Sequence, residues 1–279
     1  LRGIPATAIF AELLGKKTGV SGGMGGSMHL FDAERRVLGG YAIVGETFPI
    51  ALGAGYAVAY RQLPEAVICF FGDGAVNQGT FHESLNMAAL WRLPILFVCE
   101  NNHYQIGTEI HRHSAVVEVY RRACAYNIPA ERINGMDVLA VQQASEQALA
   151  RIRAGDGPQF LELETYRYRG HSMADPGAYR PASEVQAYQR QDPIKELEGE
   201  LSTQANCPAG DCVRQFQEQC CAAGHLNSER LQRLQDEIAE EMRIALAEAQ
   251  AAAAPNLTKV QEVFQKNHRF EDFFGRGAA

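Results

Sequence analysis

No apolar run in this 279-residue chain approaches the ~20 residues a membrane helix needs, so a helical membrane span is not expected. Basic side chains are the minority. The 26 Lys and Arg against 33 Asp and Glu leave a net charge of −7, and no basic stripe offsets it, which argues against bulk nucleic-acid binding. The chain shows no initiator methionine, signal peptide or transit peptide. It opens at Leu1 directly on the helix pattern LRGIPATAIFAELLG, as expected of a fragment. The cysteine count of seven is odd, which is expected of a reducing compartment. Cys69 and Cys99 lie in apolar runs and read as small core residues. Cys207, Cys212, Cys220 and Cys221 lack the regular pair-of-pairs spacing of a zinc site. A surface insertion over Ser202–Cys221 is favoured over a metal site completed by His225.

What is present is an ordinary globular composition, 46% hydrophobic and 21% charged, in a chain long enough for one large α/β domain or two modest ones. Residues 5–14 predict a helix that starts at Pro5 and stops at Gly15. The glycine-rich SGGMGGSMHLF, Ser21 to Phe31, marks a backbone that turns tightly or approaches a ligand closely, with a flexible surface loop as the alternative. In Gly45–Arg61 the small residues Ala51, Gly55 and Ala59 recur every four positions and would let a helix pack close to a neighbour. AVICFF (66–71) and PILFVC (94–99) predict strands buried on both faces, joined by a helix over Asn77–Trp91 in a parallel βαβ unit. Helices are expected at Val116–Tyr126 and at Val138–Arg153, the latter capped by Asp137 and stopped by Gly155. QFLELET (159–165) alternates like a strand nearer an edge. The sum is a doubly wound α/β sheet followed by C-terminal helices, including a long amphipathic one over Arg230–Ala254.

In such sheets ligands bind beyond the carboxyl ends of the strands. Two of these ends are polar: Gly72-Asp73-Gly74 and Glu100-Asn101-Asn102. Parallel pairing brings Asp73 and Asn102 to one edge. A carboxylate and an amide oxygen are hard ligands suited to Mg²⁺ or Ca²⁺, and Mg²⁺ commonly borrows phosphate oxygens. The flanking glycines and the following helix start would favour that phosphate. Asp73 as a plain turn former is the alternative.

The pattern GDGAVNQGTFHESLNMAALWRLPILFVCENN, together with YRYRGHSMADP, GGSMHLF and GGYAIVGE, resembles the alpha subunits of thiamine-diphosphate-dependent 2-oxo acid dehydrogenases, over about Leu1–Ile194. The resemblance implies a thiamine-diphosphate-binding α/β domain over 1–195, N-terminally incomplete, a helical extension over 196–254 and a tail over 255–279. It implies that Asp73, Asn102 and the backbone carbonyl of Tyr104 hold Mg²⁺. Gly74 and Ala75 would contact the diphosphate, and the backbone around Ala42 and Val44 the aminopyrimidine. His171 would reach the cofactor from a mobile loop, with Arg167 and Arg169 ordering that loop against phosphate. His29 reads as a structural residue before a functional one.

By the same resemblance the chain would decarboxylate pyruvate and pass the acetyl unit to a lipoyl group on a transacylase, within a multienzyme complex. It would work in a heterotetramer of two alpha and two beta chains, the beta chain completing the site. Acetoin or branched-chain 2-oxo acid chemistry is the runner-up. A non-catalytic cofactor-binding or assembly chain is the alternative of another class. A Tyr-Arg segment and a histidine that the family carries upstream are absent from this sequence. Ser172 stands where mitochondrial relatives are phosphorylated, but DPGAYR lacks the second serine and Glu109 replaces a third. That favours a bacterial cytoplasm or a plastid over a mitochondrion.

Overall fold

Residues 2–195, 197, 220–222, 224, 226–256 and 258 are described by the structure, a computed structural model. They fall into two compact units, one of the described residues within 2–42 and 220–258 and one of those within 43–197.

In the second unit, the apolar runs form parallel strands. These are β1 (Val67–Gly72), β2 (Ile95–Asn101), β5 (Ala130–Asn134) and β6 (Gln159–Glu164), in the order β1-β2-β6-β5. A small hairpin of β3 (Tyr104–Gln105) and β4 (Thr108–Glu109) follows β2. Cys69, Phe71, Phe97, Cys99 and Phe160 point to one face and share a core with α2 (Thr47–Tyr60), α3 (Gly79–Leu90) and α5 (Tyr120–Cys124). Leu96, Val98, Ile133 and Leu161 point to the other and pack on α6 (Val138–Arg153). Helices on both faces of a parallel sheet give the doubly wound α/β class expected from the sequence. No described helix is long and apolar enough to cross a membrane.

Local chemistry explains the element ends. The Asp137 side chain accepts from the N–H groups of Leu139 and Ala140, capping α6, and Gly155 at φ +85° ends it. Gly55 brings α2 against β2, since a Cβ there would lie 2.6 Å from Ile95 Cγ1. Ala51 is buried on the same contact, whereas Ala59 is exposed.

Four expectations need correction. β1 is buried on one face only: Ile68 and Phe70 are exposed, because β1 is an edge strand. β6, expected near an edge, lies between β2 and β5. The helix expected at Val116–Tyr126 shrinks to Tyr120–Cys124. The helix expected from Asn77 starts at Gly79, after a 3₁₀ turn over Asp73–Asn77 that carries Gly74 and Ala75.

In the first unit, α1 (Ala6–Leu13) packs along α8 (Ser228–Ala251), where Ala245 and Ala249 are buried. The Asn227 side chain caps α8 by accepting from Arg230 N. Glu12, fully buried on α1, fills the glycine-rich loop. Its carboxyl oxygens accept from the N–H groups of Ser21 (2.7 Å), Gly23 (2.9 Å), Gly25 (2.6 Å) and Gly26 (3.2 Å). A Cβ at Gly19 would fall 2.3 Å from Glu12 Oε2. The close approach these glycines allow is therefore to the chain's own carboxylate. His29 Nδ1 lies 2.8 Å from Gly40 O in the same unit, a hydrogen-bonded structural position. Most of the Ser202–Cys221 insertion and the 255–279 tail lie outside the described residues.

Candidate active site

β1 ends by delivering Asp73 to the carboxyl edge of the sheet, where it starts the 3₁₀ turn and is only 1% exposed. N–H groups at the start of such a turn have no intrahelical acceptor, so Gly74 and Ala75 present donors where an anion could lie. Gly74 lets the β3–β4 hairpin close in, since a Cβ there would meet Gln105 Cγ at 2.6 Å. β2 ends one strand away. The chain then turns through His103, held at φ +67°, which keeps Asn102 and Tyr104 beside Asp73 at one edge. Asn102 Oδ1 accepts from Tyr104 N at 3.1 Å.

The two asparagines divide the work. Asn101 is buried and turned into the sheet, where Nδ2 donates to Glu162 Oε1 at 2.6 Å and Oδ1 accepts from His103 N at 3.0 Å. Asn102 is half-buried at the edge.

Asp73 Oδ2 is buried without a hydrogen-bond partner. Burial raises its carboxyl pKa, against the opposing pull of its own N–H, the His113 imidazole and the Asn102 N–H. An anionic oxygen left alone in a dry place is costly, so the site suits a bound cation. Among the described residues no three His, Cys, Asp or Glu side chains cluster to hold a metal. A cation here would rest on one carboxylate plus amide and carbonyl oxygens, which fits Mg²⁺ completed by phosphate.

His171 is exposed on the loop between β6 and α7 (Ala182–Arg190). The loop is ordered from within. Asp175 accepts from His171 N (2.7 Å), Gly177 N (2.8 Å) and the Tyr179 hydroxyl (2.8 Å), and these bonds hold its carboxyl at about 2. Arg167 donates to Tyr179 Oη at 2.9 Å and to Ile106 O at 2.6 Å, with His171 Nδ1 3.3 Å away. The loop is thus tied to the hairpin that starts with Tyr104. Arg180, 7% exposed, donates to the carbonyls of Arg167 and Arg169 and stacks over the Tyr104, Tyr166 and Tyr179 rings at 5.3–5.6 Å. Tyr104 and Tyr166 both donate to Glu184 of α7, and burial with that carboxylate raises the Tyr166 hydroxyl to about 12.

Asp73, Gly74, Ala75, Asn102 and Tyr104 therefore meet at one sheet edge, and His171 is linked to them through the hairpin. Val44 is exposed beside Gly45, whose carbonyl accepts from Thr80 Oγ1 at 3.0 Å at the start of α3. Ala42 is exposed and belongs to the other unit. Sequence reading missed Arg180, Asp175, Tyr179, Glu184 and His113. The dense Tyr and Arg of YRYRGHSMADPGAYR was the one signal that could have found the first three.

Residues 1–209 match the family described as the dehydrogenase E1 component. Over 203 residues the chain is 49% identical to a pyruvate dehydrogenase E1 component subunit alpha of Porphyra purpurea, covering 70% of this chain and 59% of that protein. It is 44% identical over 201 residues to the subunit of that name in Rhizobium meliloti, covering 72% and 58%. It is 45% identical over 205 residues to the chloroplastic subunit alpha-3 of Oryza sativa, covering 70% and 48%. The chain spans less than two thirds of each of these relatives. With its family match running through the whole edge site and the loop, the chain belongs to the dehydrogenase E1 component family.

Proposed function

We propose that this chain is the alpha subunit of a pyruvate dehydrogenase (acetyl-transferring) and uses thiamine diphosphate and Mg²⁺. The observation that carries the reading is Asp73: a buried carboxylate with an unpartnered oxygen, set in a glycine-flanked turn beside Asn102 and Tyr104. The identity to proteins named pyruvate dehydrogenase alpha subunits supports the substrate.

Asp73, Asn102 and the Tyr104 carbonyl hold the cation, and the Gly74 and Ala75 backbone receives the diphosphate. The backbone around Ala42 and Val44 receives the aminopyrimidine. When bound, thiamine diphosphate supplies the electron sink for decarboxylating a 2-oxo acid. His171 offers a ring proton from the loop, held there by Arg167 and Asp175. A beta subunit completes the site in a heterotetramer of two alpha and two beta chains, and the acetyl unit passes to a lipoyl transacylase of the multienzyme complex. Bacterial and chloroplast relatives support a bacterial cytoplasm or plastid interior.

The test is binding of thiamine diphosphate with Mg²⁺, and turnover of pyruvate, by the chain assembled with its beta subunit. Binding and pyruvate turnover are expected, and Asp73→Ala should abolish both. Binding unchanged in Asp73→Ala would sink the site. A preference for acetoin or branched-chain 2-oxo acids would reassign the substrate, and cofactor binding without turnover of any of them would point to an assembly chain.

A further inference from the structure

His113 ends α4 (Ile110–His113), just past the β3–β4 hairpin, and its side chain is only 8% exposed. Its Nε2 lies 3.4 Å from Asp73 Oδ2. Hydrogen-bond chemistry decides which ring nitrogen carries the proton. Arg122 has only donors, so the Asn77 atom 2.8 Å from its Nη1 is Oδ1, and the amide nitrogen faces the other way. That nitrogen, Nδ2, lies 3.3 Å from His113 Nδ1. An amide nitrogen only donates, so Nδ1 is the acceptor and the ring proton sits on Nε2, toward Asp73. Nδ2 has a second hydrogen for the His113 carbonyl, also at 3.3 Å. The Ser114 hydroxyl, 2.9 Å from Nδ1, can donate to the same ring nitrogen.

Arg122 is itself anchored, donating to Val76 O and Val116 O, both at 3.2 Å. Asn77 closes the 3₁₀ turn that Asp73 opens. The contacts therefore leave that turn at Asn77, pass through His113 and return to it at Asp73. An Asp carboxylate rotates about a terminal torsion with broad minima, so burial alone does not fix which lone pair it presents. A ring N–H facing Oδ2 does. At 3.4 Å it is longer than the about 2.7–2.9 Å of a charge-assisted bond, so it orients the oxygen without saturating it. A carboxylate oxygen has two lone pairs, which leaves Oδ2 able to receive a cation as well. Carboxylates that bind metals are commonly held by such outer donors.

We propose that His113 is a positioning residue for the Mg²⁺ site: Arg122 and Asn77 fix its ring proton on Nε2, and that N–H holds the Asp73 carboxylate in the orientation that receives the cation. His113 acts through Asp73 and contributes no ligand of its own. The inference rests on the assignment of Asp73, Asn102 and Tyr104 to Mg²⁺.

The experiment uses the chain assembled with its beta subunit. Calorimetric titration of Mg²⁺ in the presence of thiamine diphosphate compares the wild type with His113→Gln and His113→Leu. The Gln amide nitrogen can stand where Nε2 stands and still donate, whereas Leu fills the space without a donor. His113→Leu should bind Mg²⁺ roughly ten-fold or more weakly, and His113→Gln should stay close to wild type. Magic-angle-spinning NMR of the unaltered assembly, with ¹⁵N-histidine in this chain, should show His113 protonated on Nε2 and unprotonated on Nδ1; its signals are those missing from His113→Gln. In Asn77→Ala the proton should move to Nδ1 in part of the molecules.

A proton on Nδ1 in the unaltered protein would overturn the proposal whether or not any variant folds. Equal weakening in His113→Gln and His113→Leu would make the effect one of packing and overturn it too, as would wild-type affinity in both. A tautomer unmoved in Asn77→Ala would overturn the part given to Arg122 and Asn77. Loss of Mg²⁺ binding in Asp73→Ala with none in His113→Leu would overturn His113 alone and leave the Asp73 site standing. Failure of Mg²⁺ and thiamine diphosphate to bind the wild-type assembly would overturn the Asp73 site itself, and this inference with it.

Discussion

Asn101 and Glu162 are joined across neighbouring strands by a 2.6 Å hydrogen bond, both side chains buried, with Glu162 also accepting from Tyr120 N at 2.8 Å. The bond pins the end of β2 to β6 and links both to the start of α5. It also fixes the turn from which Asn102 and Tyr104 reach the site, because Asn101 Oδ1 receives His103 N.

Replacing Glu162 with Ala strands the Asn101 amide and the Tyr120 N–H in the core. The expected loss is about 2–4 kcal/mol of unfolding free energy, read as an earlier urea midpoint. A loss within about 0.5 kcal/mol, the range of an ordinary surface change, would show that the bond contributes little.

Asp73→Asn should separate stability from ligand binding. The wild-type carboxylate is buried with Oδ2 unpartnered, so the variant should be at least as stable without ligand. Adding Mg²⁺ with thiamine diphosphate should raise the melting temperature of the wild type, by about 2.7 kcal/mol of stability at a hundred times Kd, and leave the variant unmoved. Thermal melts with and without ligand check both halves.

Glu12 makes the glycine-rich loop acid-sensitive. Burial would raise its carboxyl pKa, but four backbone N–H bonds outweigh this and hold it below the ordinary 4.5. A lowered folded pKa means that its contribution is complete above the ordinary value and is lost as pH falls through the folded one. Glu12→Gln should therefore destabilise at neutral pH, and the gap to wild type should narrow as pH drops below 4.5. Denaturation midpoints from pH ~7 down to ~3 test the sign; a gap that widens with acid contradicts it.

Asp175 should govern the order of the loop that carries His171. In Asp175→Ala the His171 and Gly177 N–H groups and the Tyr179 hydroxyl lose their shared acceptor. Trypsin should then cut after Arg167 or Arg169 faster than in wild type, with the sheet intact by circular dichroism. Because the Asp175 carboxyl sits at about 2, its bonds should persist in mild acid. Unchanged cleavage would place the ordering of the loop in Arg180 instead.

Much of this was readable in the chain. The βαβ unit around Asp73 announced itself through two short apolar runs, and the Asp137 and Gly155 ends of α6 through local capping chemistry. Parallel pairing alone was enough to bring Asp73 and Asn102 together. What failed were statements about neighbours. β1 looks buried on both faces because Ile68 and Phe70 are apolar, and only its edge position exposes them. β6 alternates like an edge strand because Glu162 is charged, yet it is interior, since Asn101 and Tyr120 N satisfy that carboxyl.

The sequence by itself determined the strand–turn–helix frame, the polar strand ends and the family, because periodicity, capping residues and a contiguous motif are local properties of the chain. The tertiary structure alone decided which carboxylates are satisfied and which are left open. Glu12 is enclosed by glycine N–H groups and Glu162 by an asparagine from the next strand, while Asp73 keeps one oxygen bare beside His113. That difference depends on which groups converge from distant segments as water is excluded, and burial makes an unmatched charge costly enough to mark a binding site.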